Sequence, residues 1–421
     1  MVESTTAIPE AAERRAFAQL LIAEWRQSWR PGAAALIGTA VSYSVWSAVS
    51  SLFVLPLQQE FGWSRGDIAF AHNAGLVSAF SAPLLGRLVD RLGVRPILLC
   101  GLALTALCYV ALAFMTGSLA LYYGLYFLLT IAGMTNTGVT YTRVIAGAFR
   151  ATRGSALAMT RSGLALSGAI LPVLVFAALS RWGIRGGFLT MAGLILLMAL
   201  PSAWLWIPAQ PTTTAPSVPS ASVAVAWLRL LRNPKVVLLC VAAALNYAPV
   251  VALMTQMMPL ALSKGLPADL AVGAVSTIGL AAFGGALVSG LLVDRFWAPA
   301  VACVLNAAPA IGCLFLLPHA VSPWTFYAAV IMIGLGQGAE IDIVAFMIGR
   351  YFGLKDYATI YGLGVLCIGF SVALAAASIG RAYDWFGNYD LALIGASTSF
   401  GLAAVAYLAL GRYPNRYPDQ E

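Results

Sequence analysis

The chain has 421 residues, 61% of them hydrophobic and 10% charged, against roughly 25% charged in soluble domains, and its mean hydropathy is +0.86. That balance excludes a soluble globular protein and leaves a polytopic membrane protein, long enough for about twelve apolar spans of roughly 20 residues each. The net charge of +8 fits either nucleic-acid binding or basic cytoplasmic loops, and the positions of Lys and Arg decide between them.

Residues 1–30 form a polar segment without the basic-then-apolar layout of a signal peptide, and a cytoplasmic N-terminus is expected. Phe17 to Trp29 can lie as an amphipathic helix on the membrane, with Leu20, Leu21 and Trp25 against lipid; a disordered start is the alternative. Apolar spans follow at about 33–57, 67–88, 96–115, 119–147, 154–180 and 187–207, an N-terminal six-helix bundle over 31–207. Gln210 to Ser222 is rich in Pro, Thr and Ser and reads as exposed, within a cytoplasmic linker at 208–234. Spans at about 235–262, 269–293, 298–317, 323–349, 357–380 and 389–410 make a C-terminal bundle over 235–411, before a cytoplasmic tail at 412–421. Gly and Pro interrupt the apolar runs where an outer-membrane barrel would alternate apolar and polar residues. The expected fold is therefore all-α: twelve transmembrane helices in two pseudo-symmetric six-helix bundles. Cys100, Cys108, Cys240, Cys303, Cys313 and Cys367 are scattered without CxxC spacing or a His partner, so no metal site is expected.

With the N-terminus inside, seventeen Lys and Arg fall on the cytoplasmic side and five on the other, while Arg143 and Arg161 lie inside spans. The bias puts both termini in the cytoplasm and removes the reason to expect nucleic acid. The halves also repeat: Gly86-Arg87-Leu88-Val89-Asp90-Arg91 answers Gly290-Leu291-Leu292-Val293-Asp294-Arg295 at an offset of 204, and Gly183 answers Gly387 at the same offset.

The stretch from Gly86 to Arg95 resembles the loop between helices two and three of the major facilitator superfamily, and the resemblance covers about Pro31 to Arg412. Gly86 and Gly93 permit close backbone approach, Asp90 can accept from a helix N-terminus or an Arg, and Arg87, Arg91 and Arg95 suit an anionic headgroup surface. Gating is the expected role of this cluster and of Asp294 and Arg295 in the second copy, where Phe296-Trp297-Ala298 replaces the closing Gly and basic residues. Phe61-Gly62-Trp63-Ser64-Arg65, Gly338-Ala339-Glu340-Ile341-Asp342 and Arg350-Tyr351-Phe352-Gly353 resemble the bacterial branch of monocarboxylate and oxalate:formate porters. The basic residue that those porters carry in helix eight is missing, since Ala271 to Gly290 has no charge.

Four ionisable residues lie deep in spans: Arg143, Arg161, Glu340 and Asp342. Each is costly in hydrocarbon and should face protein or a wet cavity. Arg143 is seven residues before Arg150 and Arg161 seven after Gly154, so both sit about 10 Å in from the cytoplasmic end of neighbouring helices. Asn136 and Thr140 share the Arg143 stripe. Two guanidiniums at one depth could clamp a carboxylate; alternatively one snorkels, or pairs with Glu340 or Asp342. Two positions apart, those carboxyls point about 200° away from each other, and either could carry a proton by exchanging partners, or form a fixed ion pair. Tyr43, Trp46, Asn246, Tyr247, Gln337 and Tyr361 complete a candidate substrate site shared by both halves, with helices three, six, nine and twelve as lipid-facing supports.

No P-loop, GxSxG or HExxH occurs, and His72 and His319 are far apart, so neither ATP-driven transport nor an enzyme is expected, and no cofactor. The expected function is secondary active transport by a monomer in the bilayer, moving a small organic anion such as a monocarboxylate by proton-coupled uptake across a bacterial inner membrane. The alternative is proton-antiport export of drugs, amphiphiles or small peptides.

Overall fold

The computed structural model describes residues 10–76, 88–89, 92–149, 153–209, 230–353 and 357–413. Among them the regular structure is helical throughout. In the first half run α1 (Glu10–Ala40), α2 (Trp46–Val49), α3 (Ser51–Phe61), α4 (Arg65–Phe70), α5 (Val94–Ala113), α6 (Leu119–Met134), α7 (Gly138–Ala148), α8 (Arg153–Leu194) and α9 (Leu200–Trp206). The second half holds α10 (Pro234–Ser263), α11 (Ala268–Val293), α12 (Ala298–Phe315), α13 (Pro323–Phe352), α14 (Tyr357–Phe386) and α15 (Asp390–Ala409).

Among the described residues nine helical stretches are long and apolar enough to cross a membrane. One of them, Ser162–Trp206, has 45 residues, about 68 Å if straight against a hydrocarbon core of about 30 Å. It doubles back at Gly183, whose φ of 63° and ψ of −160° suit only a residue without Cβ. The expected fifth and sixth spans are the two arms of that hairpin.

Two expected spans are broken rather than continuous. The first stops at Ala40, passes a 3₁₀ turn at Tyr43–Val45 and resumes as α2 and α3; the fourth breaks at Thr135–Thr137 between α6 and α7. Local hydroxyl bonding accompanies the first break: Thr39 Oγ1 donates to Ala35 O at 2.5 Å and Ser42 Oγ to Thr39 O at 3.2 Å. The backbone N–H of Tyr43, at the break, donates to Asn136 Oδ1 at 2.9 Å, and Asn136 Nδ2 reaches Thr105 Oγ1 at 2.8 Å. One buried amide thus fastens two interrupted helices to a third.

The N-terminal segment enters α1 through a kink at Ser28 (φ −113°, ψ 17°), next to Pro31. Trp25, expected against lipid, packs on Phe149 with ring centroids 4.9 Å apart, and Ser28 Oγ donates to Ala148 O at 3.0 Å. The side chains of Leu20 and Leu21 lie outside the described residues.

Buried apolar residues form two bodies. The larger runs through both halves, from Leu52 and Phe53 to Leu253, Val275 and Phe400. The smaller, with Leu239, Val301, Met347 and Leu410, holds the ends of the second half on the side of the chain termini. Between the halves α8 packs on α11, with Gly168 against Gly279, and α4 packs on α14 and α3 on α10 on the side of Arg65. On the terminus side α7 packs on α1, α5 and α8, and α13 on α10, α11, α12 and α14, each within its own half. In a bilayer this association rests on packing rather than on expelling water, so close backbone approach matters. A Cβ on Gly338 would lie 1.6 Å from Ala282 O. Gly338→Ala is expected to force α11 from α13 at a cost of about 3 kcal/mol, the upper end for overpacking. The cost should appear as a lowered melting temperature and lost monodispersity in size exclusion. Gly349→Ala on the same helix meets nothing within 4 Å and should behave as wild type; equal behaviour of the two variants would refute the packing argument.

Candidate functional site

A cavity of about 380 Å³ lies between the halves, a volume suited to a small molecule. The break in the first span supplies Ser44 and Ser47, α8 supplies Ala165 and Gly168, α10 Tyr247, and α13 Gln337. The remaining wall is apolar, including Met254 and Phe283, and reaches toward the terminus side at Leu164 and Leu287. Gln337 Nε2 donates to Met254 Sδ at 3.1 Å, while its Oε1 has no donor among the described residues. The cavity wall therefore offers hydroxyls and one free amide oxygen among apolar surface.

The expected site residues do not gather in one place. Tyr247 and Gln337 line the cavity. Tyr43, Trp46 and Asn136 instead turn into the first half: Tyr43 bonds Thr130 Oγ1 at 2.9 Å, and Trp46 Nε1 donates to Tyr126 Oη at 2.7 Å inside a cluster with Phe53, Tyr109 and Phe188. Asn246 and Glu340 line a second, small chamber behind the cavity. Thr140 is buried and Arg143 half-buried on α7, and Tyr361 stacks on Tyr357 at 6.2 Å on α14. Positions 161 and 342 lie on α8 and α13, with side chains outside the described residues. Residue 161 stands one turn toward the terminus side from the cavity-lining Ala165.

Of the expected gating residues, Gly86, Arg87, Asp90 and Arg91 lie outside the described residues. Gly93 has φ 86° and starts α5, where the left-handed region favours glycine. Arg95 Nη2 donates to Trp204 O at 2.5 Å, tying α5 to the end of α9. Asp294 ends α11, and Arg295 beside it is exposed.

A network around Arg65, the last residue of the Phe61–Arg65 motif, closes the opposite side. Arg65, at the start of α4, is 8% exposed. Its Nη1 donates to Tyr389 Oη at 2.6 Å, its guanidinium lies 3.6 Å from the Tyr383 ring centre, and its Nε donates to Gln58 Oε1 at 3.3 Å. Asp384 accepts the backbone N–H groups of Arg65 and Gly66 at 3.1 and 2.7 Å, supplying acceptors to the start of α4 from the other half. Tyr389 Oη in turn donates to Gln256 Oε1 at 3.0 Å.

Three comparisons bear on this architecture. The profile of the Major Facilitator Superfamily matches residues 35–376. Human Monocarboxylate transporter 11 is 25% identical over 396 residues, covering 91% of this chain and 83% of the relative. An Escherichia coli K12 protein described as the uncharacterized MFS-type transporter YhjX is 29% identical over 102 residues, covering 24% of this chain and 25% of its own. The crystal structure of the nucleoside transporter NupG superposes with a TM-score of 0.75 at 12% identity, covering 92% of this chain and all of that one. That likeness concerns the fold alone. The helical architecture around a cavity between two halves and the profile match over most of the chain agree: this is a membrane transporter rather than an enzyme, and it belongs to the Major Facilitator Superfamily.

Proposed function

We propose that the protein is a secondary active transporter of a small organic anion, a monocarboxylate with a short apolar body, taken up with protons by alternating access. The observation that carries this reading is the cavity itself: polar atoms at Ser44, Ser47, Tyr247 and Gln337 among apolar surface, with no carboxylate or lysine among the described residues of its wall. The position of Arg161 one turn below Ala165, and of Arg143 on the packed neighbour α7, supports a cationic mouth through which an anion enters. Similarity to a protein named for monocarboxylate transport supports the same substrate class.

In this reading the terminus side is cytoplasmic, the membrane is a bacterial inner membrane, and the protein works as a monomer. The Arg65 network seals the outer face while substrate leaves to the cytoplasm. The coupling carboxylate is Glu340, three residues from Gln337 on α13, so one helix serves both the cavity and the buried acid. Asp342 is the second candidate.

The test is accumulation by proteoliposomes. An inward proton gradient should concentrate labelled aliphatic monocarboxylates in wild-type vesicles. Glu340→Gln keeps shape without titration and should lose gradient-driven accumulation while keeping exchange of labelled for unlabelled substrate. Normal accumulation by this variant would exclude Glu340 as carrier. A second reading, proton-antiport export of an amphiphile, is favoured by the apolar wall at Met254 and Phe283. Expulsion of a cationic amphiphile with no carboxylate uptake would establish it instead.

A further inference from the structure

Behind the cavity four helices of the second half enclose a chamber of about 10 Å³, room for one water-sized particle. Asn246 from α10, Asn306 from α12, Glu340 from α13 and Tyr407 from α15 face it, each no more than 4% exposed. The remaining lining is apolar, and no Lys or Arg belongs to it among the described residues. Asn246 Oδ1, Asn306 Oδ1 and both carboxyl oxygens of Glu340 have no hydrogen-bond donor among the described residues. The Asn306 amide is held in this orientation, since its Nδ2 donates to Ala302 O at 2.8 Å.

Four buried acceptors converging without a donor are unfavourable, because each loses its water without replacement. A carboxylate among them is worse, unless a positive charge joins it. A proton on Glu340 alone donates one hydrogen bond and pairs two of the four oxygens. A sodium ion answers the whole set, as hard cations take carboxylate and amide oxygens, and a hydronium, with three donors, answers three of the four. We propose that Glu340, Asn246, Asn306 and Tyr407 form a binding site for one small monovalent cation, sodium or hydronium, separate from the substrate cavity.

The same two helices carry the link to substrate. Tyr247 lines the cavity and Asn246 the chamber; Gln337 lines the cavity and Glu340 the chamber. An ion that draws Asn246 and Glu340 together sets the rotation of α10 and α13, and with it the spacing of Tyr247 and Gln337. The use of the chamber rests on the transporter reading, but its occupancy can be measured without any substrate.

The experiment is thermal unfolding of the purified full-length protein at constant ionic strength. In the sodium arm, at fixed pH, NaCl replaces choline chloride and KCl serves as the size control. A saturable, sodium-specific rise in melting temperature that disappears in Glu340→Gln supports a sodium site. In the proton arm, sodium-free buffer is taken from pH 8 to 5.5; a rise absent in Glu340→Gln and weakened in Asn306→Ala supports hydronium, whereas a rise absent in Glu340→Gln and unchanged in Asn306→Ala is plain protonation of the carboxyl and counts against it. Asn306→Ala keeps the carboxylate and removes one amide oxygen. It should weaken either response at least tenfold in concentration, and it carries the test should Glu340→Gln fail to fold. No response in either arm, or a response unchanged by both substitutions, overturns the proposal. Such a null leaves carboxylate uptake standing, whereas lost uptake beside an intact ion response would remove the substrate reading and keep the chamber.

Discussion

Arg65→Ala is expected to open the face opposite the chain termini and to stall transport. The guanidinium is held by a charged hydrogen bond to Tyr389 at 2.6 Å and by the Tyr383 ring at 3.6 Å. Such contacts are worth about 1.5–3 and about 0.5–2 kcal/mol respectively. A loss of about 3 kcal/mol from the closed state changes the ratio of conformers roughly a hundredfold. Ala69, 1% exposed on α4, provides the reporter. In a background without native cysteines, Ala69→Cys should react with a membrane-impermeant maleimide at least tenfold faster when Arg65 is alanine. Arg65→Lys should fall between, since an ammonium keeps the charge and loses the planar contact. Asp384→Asn keeps an acceptor for the N–H groups of Arg65 and Gly66 and should have the smaller effect. Unchanged labelling in Arg65→Ala would mean that apolar packing alone seals this face.

The second large effect concerns substrate affinity. Arg143→Ala and Arg161→Ala are each expected to weaken monocarboxylate binding at least tenfold with the fold intact. A hydrogen bond to a charged group is worth about 1.5–3 kcal/mol, and a bidentate pair forms two. Lysine at either position should restore part of the affinity, because a point charge does not reproduce the fork. Substrate-dependent thermal shift, with the ligand-free melting temperature as the folding control, measures both. Unchanged affinity in both alanine variants would eliminate the cationic mouth and favour an amphiphile held by the apolar wall.

Most span positions were legible because a bilayer demands one local property, about 20 apolar residues in a row; residues 77–87 of the second expected span lie outside the described residues. The pairing of halves was legible because a repeat needs only register. The facing of side chains was not legible, since a helix apolar all round has no polar stripe to show which side meets a cavity. Trp46, Tyr43 and Asn136 illustrate this: each was expected at the substrate, and each finds its partner inside the first half. Asn306 and Tyr407 sit on helices nine and twelve, expected to face lipid, yet both are buried beside Glu340. An internal pairing of Glu340 with Arg143 or Arg161 was one sequence alternative, and both carboxyl oxygens lack a hydrogen-bond partner among the described residues. Arg65 was legible as the end of the Phe61–Arg65 motif but not as a bridge between the halves, because its partner Tyr389 lies 324 residues away. The breaks at Tyr43 and Thr135 escaped notice because Ser, Thr and Asn are tolerated within membrane helices and interrupt them only when a neighbour takes up the freed backbone group.

Gly168 and Gly279 meet mid-span, where a Cβ on either would come within 2.9–3.2 Å of the other's backbone. Two bare backbones in contact have no interlocking side chains, so one helix can roll on the other without passing through strained rotamers. Under the alternating-access reading proposed above, such a contact would act as a plain bearing, and resistance to the roll would fall at the rim, where Arg65 lies against the rings of Tyr383 and Tyr389.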